Sequence, residues 1–215
     1  MSLHNSEFFD NFGQVLNKFP DIDMRDLFSK GQMESKRWLV NELEKINKPL
    51  GTVFLCAGWY GSLAAFLFES KLEIEKIRSF DIDKNCAAIA DTFNRAKTTN
   101  NWQFKASTMD ILEMTYPLHY TTEKSDGTFQ NLVDMPDTII NTSCEHIFDF
   151  AYWYEKIPRH KLVCLQTNDF FDLPEHVNCS IDLDDFSRAT PMKEVLYQGE
   201  LKLSKYTRYM RIGFK

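Results

Sequence analysis

The 215-residue chain is poor in several features that would mark other protein classes. It has 8 glycines and 7 prolines and no biased tract, which excludes collagen-like and low-complexity organisation. No stretch approaches the ~18 uninterrupted apolar residues of a membrane span, so no membrane association is expected. The five cysteines, Cys56, Cys86, Cys144, Cys164 and Cys179, form an odd set without a CxxC pair. That pattern fits thiols kept reduced in a cytoplasm better than a disulfide framework. Positive charge is also short. Lys and Arg number 25 against 31 Asp and Glu, a net charge of −6, and this denies the molecule the basic field that captures duplex DNA at long range. The stretch from Met1 to Asp10 carries Glu7 and Asp10 and lacks a basic segment followed by an apolar run, so no secretory signal is expected.

Apolar residues, by contrast, are plentiful: 43% of the chain is hydrophobic, with 18 Phe, 8 Tyr and 4 Trp. A chain of this length and composition forms one domain with a substantial core. Phe8, Phe12, Val15, Leu16 and Phe19 recur at helical spacing before Pro20, and a second helix is predicted from Gln32 to Asn47, with Leu39, Leu43 and Ile46 on one face. Residues 1–48 thus read as a helical segment packed on a core formed by residues 49–215.

Strand and helix then alternate. Val53 to Cys56 is a short apolar strand bounded by Gly51 and Gly58, and Ser62 to Glu69 a helix. Ile77 to Ile82 is a second strand, followed by Asp83 as N-cap and a helix from Lys84 to Ala96. Trp102 to Ala106, Thr138 to Asn141 and Lys161 to Gln166 are further strands, with a helix from Ile147 to Ile157 between the last two. Glu194 to Leu203 and Tyr206 to Phe214 are rich in β-branched and aromatic residues and read as an antiparallel hairpin. The expected fold is α/β, a Rossmann-like three-layer sandwich around a mostly parallel seven-stranded sheet. Thr115 to Asp137 shows little periodicity and reads as a long mobile loop or lid.

The sharpest constellation is Gly58-Trp59-Tyr60-Gly61 between the first strand and its helix. Glycines there let a nucleotide-like ligand approach the backbone, although a plain tight turn would also require them. Asp81, with Ile82 after it, closes the second strand at the distance expected of a carboxylate that accepts hydrogen bonds from ribose. Thr108-Met109-Asp110 follows the third strand.

This order of motifs resembles the class I S-adenosylmethionine-dependent methyltransferase superfamily, from about Gln32 to Phe214. The resemblance implies S-adenosylmethionine as cofactor. Gly58 and Gly61 would lie along its methionine part with Trp59 and Tyr60, Asp81 and Ile82 at the ribose, and Met109 and Asp110 at the adenine. Cys56 stands where the family usually carries an acid, and only Asn141 remains of the Asn-Pro-Pro-aromatic run found in amine-methylating members. The implied reaction is transfer of a methyl group to an unidentified acceptor: a small molecule, a nucleotide or an RNA. Aminocarboxypropyl transfer, cofactor cleavage and a non-catalytic cofactor-binding partner protein are the alternatives.

Asn141, Glu145 and His146, beyond the fourth strand, are the candidate catalytic residues. Asn141 can face the methionine amine or the acceptor, and either Glu145 or His146 can take a proton. Glu145 has a competing role as a helix-start carboxylate. Cys144, His146, His176 and Cys179 lack the spacing of a structural zinc site, and no metal is expected. Gln166 to Asp169 lies on the same predicted edge, and Tyr152-Trp153-Tyr154 reads as core.

Overall fold

The computed structural model describes residues 6–99, 102–124 and 126–215, with side chains from Phe9 onward, so the side chain of Phe8 lies outside the described residues. Helix α1 (Ser6–Lys18) leads through a 3-10 turn at Asp26–Phe28 to α2 (Lys30–Ile46). Ser29 caps α2 by accepting from the Gln32 amide at 3.3 Å, and Asn47 ends it in the left-handed conformation at φ 52°.

Strands β1 (Gly51–Cys56), β2 (Ile74–Asp81) and β3 (Phe104–Thr108) are connected by α3 (Ser62–Phe68), α4 (Cys86–Phe93) and α5 (Arg95–Thr99). The antiparallel pair β4 (Leu118–Glu123) and β5 (Phe129–Asp134) follows, then β6 (Thr138–Asn141), α6 (Phe150–Lys156), β7 (Leu162–Asn168) and α7 (Leu183–Ala189). The hairpin β8 (Glu194–Lys202) and β9 (Thr207–Phe214) ends the chain.

Seven strands form one sheet in the order β3-β2-β1-β6-β7-β9-β8. The first five are mutually parallel and β9 runs antiparallel to both neighbours, as the sequence pattern predicted. Successive residues of a strand point to opposite faces, and both faces are covered. Val53 and Leu55 of β1 pack with Leu39, Val40 and Leu43 of α2 and Leu63 and Leu67 of α3. Phe54 and Cys56 point the other way, toward Phe150, Trp153 and Tyr154 of α6 and Phe186 of α7. The result is a three-layer sandwich. Among the described residues no helix is long and apolar enough to cross a membrane.

The structure corrects the sequence reading at several places. Residues 115–137 hold the β4–β5 hairpin, which takes the place of a covering helix over β2 and β3. Tyr120 packs edge-on to Phe80 with ring centroids 5.7 Å apart. Asp134 accepts from Arg78 Nε at 2.9 Å, from Lys76 Nζ at 2.8 Å and from the Tyr120 hydroxyl at 2.8 Å, so the hairpin is anchored. Burial opposes the Asp134 charge, but the Lys76, Tyr120 and Arg78 donors outweigh it and hold this carboxyl below the usual range.

The helix predicted from Lys84 is shorter and interrupted. Asp83 caps no helix, since its carboxylate accepts from the Asn85 amide one residue ahead of α4. Buried Asn94 divides α4 from α5 while its side chain donates to the carbonyls of Gly61 and Ala90, both at 3.0 Å. The helix predicted from Ile147 starts at Phe150, where Asp149 accepts from the Tyr152 amide; a 3-10 turn, Cys144–His146, precedes it.

Candidate functional site

The carboxyl ends of β1, β2 and β3 and the segment following β6 open onto a cavity of about 490 Å³. This is the edge, beside the point where strand order reverses between β2 and β6 on either side of β1, at which open α/β sheets bind ligands.

After β1 the backbone passes through left-handed conformations at Ala57 (φ 52°), Trp59 (φ 48°) and Gly61 (φ 73°). A Cβ at Gly58 would lie 2.1 Å from Ser79 Oγ, so only glycine lets the turn approach β2 this closely. The turn is fastened to Asp81, whose Oδ2 accepts from the Trp59 amide at 2.8 Å and whose Oδ1 accepts from the Asp83 amide at 3.0 Å. Each carboxylate oxygen still has capacity for another donor, and Asp81 borders the cavity.

Gly58, Trp59, Asp81, Ile82, Met109 and Asp110 all line this cavity. The Met109 amide donates to the Asp81 carbonyl at 2.8 Å, and Asp110 Oδ1 accepts from the Leu112 amide at 2.9 Å, which places the two residues beside the β2 end. Tyr60 and Gly61 are not on its wall. Tyr60 stacks on Trp59 with centroids 4.6 Å apart and packs toward Val15 and Phe93. Gly61 faces α4, where a Cβ would meet Asn94 Nδ2 at 2.8 Å and Ala90 Cβ at 3.0 Å.

Of the three candidate catalytic residues, His146 lines the cavity. Asn141 is fully buried behind it; its Oδ1 accepts from the Ser143 amide at 2.9 Å, while its Nδ2 has no partner. Glu145 is also buried and accepts through Oε1 from Asn168 Nδ2 at 2.7 Å and from Arg208 Nη2 at 3.2 Å. It neither starts a long helix nor faces the cavity; it sits in a buried ion pair that ties the 3-10 turn to β7 and β9. The thiols are pushed far up by burial at Cys56, Cys144 and Cys164, so none of these three is a thiolate at neutral pH.

Sequence reasoning missed the wall contributed by residues 26–36. Asp26, Gln32 and Lys36 line the cavity. Lys36 is 6% exposed, and burial, with the Arg208 charge as the second cause, pushes its amine down to about 7. A signal was present: Lys36 shares the apolar face of α2 with Leu39, Val40 and Leu43, a spacing that turns a lysine inward.

No family model matches the chain, and the search of curated proteins returns no match. Solved structures do match. Magnesium protoporphyrin IX methyltransferase from Synechocystis PCC 6803 with bound S-adenosylhomocysteine superposes with a TM-score of 0.59 at 12% identity, over 98% of this chain and 95% of that one. The N-methyltransferase NodS from Bradyrhizobium japonicum WM9, also in complex with S-adenosylhomocysteine, gives 0.60 at 11% identity over 98% and 99%. The chain has the class I methyltransferase fold. The small RNA methyltransferase HEN1 shares this fold at a TM-score of 0.58 and 15% identity, over 84% of this chain and 25% of that one.

Proposed function

We propose that this protein binds S-adenosylmethionine along Gly58, Asp81 and Asp110 and transfers its methyl group to an acceptor entering beside His146 and the exposed Phe148, which also lines the cavity. The observation that carries this reading is the close turn at Gly58, fastened to an Asp81 carboxylate that retains acceptor capacity on the cavity wall. The unpartnered Asn141 Nδ2 fits too, as an amide left for a ligand group. The bound cofactor supplies a methyl group already activated on a sulfonium.

The chain's own work is alignment and proton management. Asp81 would hold the two ribose hydroxyls, Met109 would pack along the adenine, Asp110 would accept from its amine, and Ile82 would cover the rim. Trp59, braced by Tyr60 and by the helix start at Gly61, closes the methionine side. Lys36, with its amine pushed down to about 7, is substantially unprotonated at neutral pH and can take the proton the acceptor releases. Glu145, engaged by Arg208 and Asn168, positions the turn that carries His146.

The neighbours' own acceptors, a magnesium protoporphyrin and a small RNA among them, show how widely this fold is used and leave the acceptor here open between small molecule, nucleotide and RNA. The test is incubation with S-adenosylmethionine and a panel of these acceptors, followed by product analysis. Adenosylhomocysteine is the expected product. Methylthioadenosine would mean aminocarboxypropyl transfer or cofactor cleavage, and tight binding without turnover on any acceptor would mean a cofactor-binding partner protein.

A further inference from the structure

We propose that Glu145, His146 and His176 form a binding site for a divalent first-row transition cation beside the cavity, whose wall His146 shares. The fold brings the three together from two segments, the 3-10 turn after β6 and the connection between β7 and α7, and one ligand atom from each lies within 4.8 Å of the others. The two imidazole rings meet edge to face with centroids 4.7 Å apart. In metal sites, ligand atoms at about 2.0–2.2 Å from the ion lie closer together than this, so a bound ion would draw the three side chains inward by about an ångström.

Two independent features point to a ligand. First, each imidazole turns Nδ1 toward a backbone carbonyl, His146 to Glu175 at 3.1 Å and His176 to Phe170 at 2.6 Å. A carbonyl can only accept, so Nδ1 carries the proton in the neutral ring and the Nε2 lone pair is left free. Metal-binding imidazoles are oriented in this way. Second, the Glu145 side chain is 3% exposed, and although Oε1 is engaged by Asn168 and Arg208, Oε2 has no partner. A buried carboxylate oxygen without a donor is costly, and a cation would satisfy it.

The sequence reading weighed the two histidines only together with Cys144 and Cys179, and on their spacing expected no metal. The structure exchanges those thiols for Glu145, because Cys144 Sγ bonds to the Asn141 carbonyl and Cys179 Sγ to Asn168 Oδ1 and the Phe170 carbonyl. Two imidazoles and one carboxylate suit zinc, iron(II), cobalt(II) or manganese(II) better than magnesium or calcium, which prefer all-oxygen shells. Three protein ligands leave coordination positions open. His146 is exposed and lines the cavity, so an open position there can take water or a hydroxyl oxygen of the acceptor and make it a stronger acid.

The site stands or falls apart from the methyl-transfer reading. The experiment is titration of the chelator-stripped full chain with Co²⁺, followed by visible absorption and by calorimetry, and competed with Zn²⁺. One Co²⁺ per chain is expected, displaced by Zn²⁺, with affinity reduced more than tenfold in both His176→Ala and His146→Ala. Glu145→Gln should weaken binding as well, but it disturbs a buried ion pair, so the histidine variants decide, with their circular dichroism compared to wild type. Absence of saturable Co²⁺ and Zn²⁺ binding, or binding that survives both histidine replacements, would overturn the proposal. S-adenosylhomocysteine affinity of the stripped wild-type chain, measured alongside, separates failure of the cofactor reading from failure of the metal site.

Discussion

Replacing Asp81 by Asn separates the two duties its carboxylate has in this fold. In the free protein it accepts from the amides of Trp59 and Asp83. In the proposed complex it also accepts from two ribose hydroxyls. Asparagine keeps the shape and one acceptor oxygen, which can stay with the Trp59 amide. The Asp83 amide, in an exposed turn, then turns to water at a cost of about 1 kcal/mol. For a domain of this size that lowers the melting temperature by about 2–4 °C. The loss at the ribose is larger, because a charge-assisted acceptor becomes a neutral group with one donor end facing a hydroxyl. About 2 kcal/mol is lost there, roughly a 30-fold weaker affinity. Calorimetric titration with S-adenosylhomocysteine, paired with a thermal scan of the free protein, reads both numbers. A small melting shift with affinity unchanged within about twofold would refute the ribose contact. A melting shift well beyond 10 °C would show instead that the loop had come apart and that any loss of binding was indirect.

Gly58→Ala should destabilise the fold and abolish cofactor binding, because the new methyl collides with Ser79 Oγ; urea denaturation measures the first effect, and adding Ser79→Ala should recover part of it. Lys36 has a folded-state pKa near 7 against ~10.4 when unfolded, so between those values the unfolded chain binds the extra proton and stability rises with pH. Lys36→Met should therefore stabilise the protein most at or below pH 7 by denaturant midpoint, with the gain shrinking toward pH 10; a pH-independent difference would contradict the buried-amine assignment. Asp134→Asn leaves the buried Arg78 guanidinium without its counter-charge and should cost about 3 kcal/mol in urea unfolding, whereas a loss under 1 kcal/mol would mean that the hairpin is held by its apolar contacts alone.

The sheet was legible in the sequence because each central strand is a short apolar run between turn residues, a pattern that follows from burial on both faces. The β4–β5 hairpin was not, since its exposed side is rich in Thr, His, Gln and Asn and β5 is largely solvent-facing. Its signal was Asp126-Gly127, with Gly127 at φ 80°, the dipeptide that turns a hairpin. The cavity wall at Gly58, Asp81 and Asp110 was readable because each residue ends or closely follows one of three successive parallel strands, β1, β2 and β3, whose carboxyl ends share one edge. Lys36, His176 and Arg208 were not readable as neighbours of the turn after β6, because three separate segments of the chain bring them there.

The β6 and β7 side of the cavity also shows where this fold departs from a simple apolar sandwich. At the carboxyl ends of β6 and β7 the core gives way to buried Asn141, Glu145, Gln166, Asn168 and Arg208. Asn168 and Arg208 both converge on Glu145 Oε1. Replacing such a group by an apolar residue of similar volume often stabilises a protein, so stability alone gives little reason for it. Its incompleteness is more informative. Asn141 Nδ2, Glu145 Oε2, Gln166 Oε1 and Arg208 Nε lack partners, although a folded chain leaves few buried polar atoms unsatisfied. Four such atoms on three adjoining strands and the turn beside them are what is expected of a polar surface built to be completed by something outside the chain. In the complexes proposed above, the cofactor's amino-acid end would meet Asn141 and a cation held with His146 and His176 would meet Glu145, each reaching a buried group just behind the wall that Lys36 and His146 border.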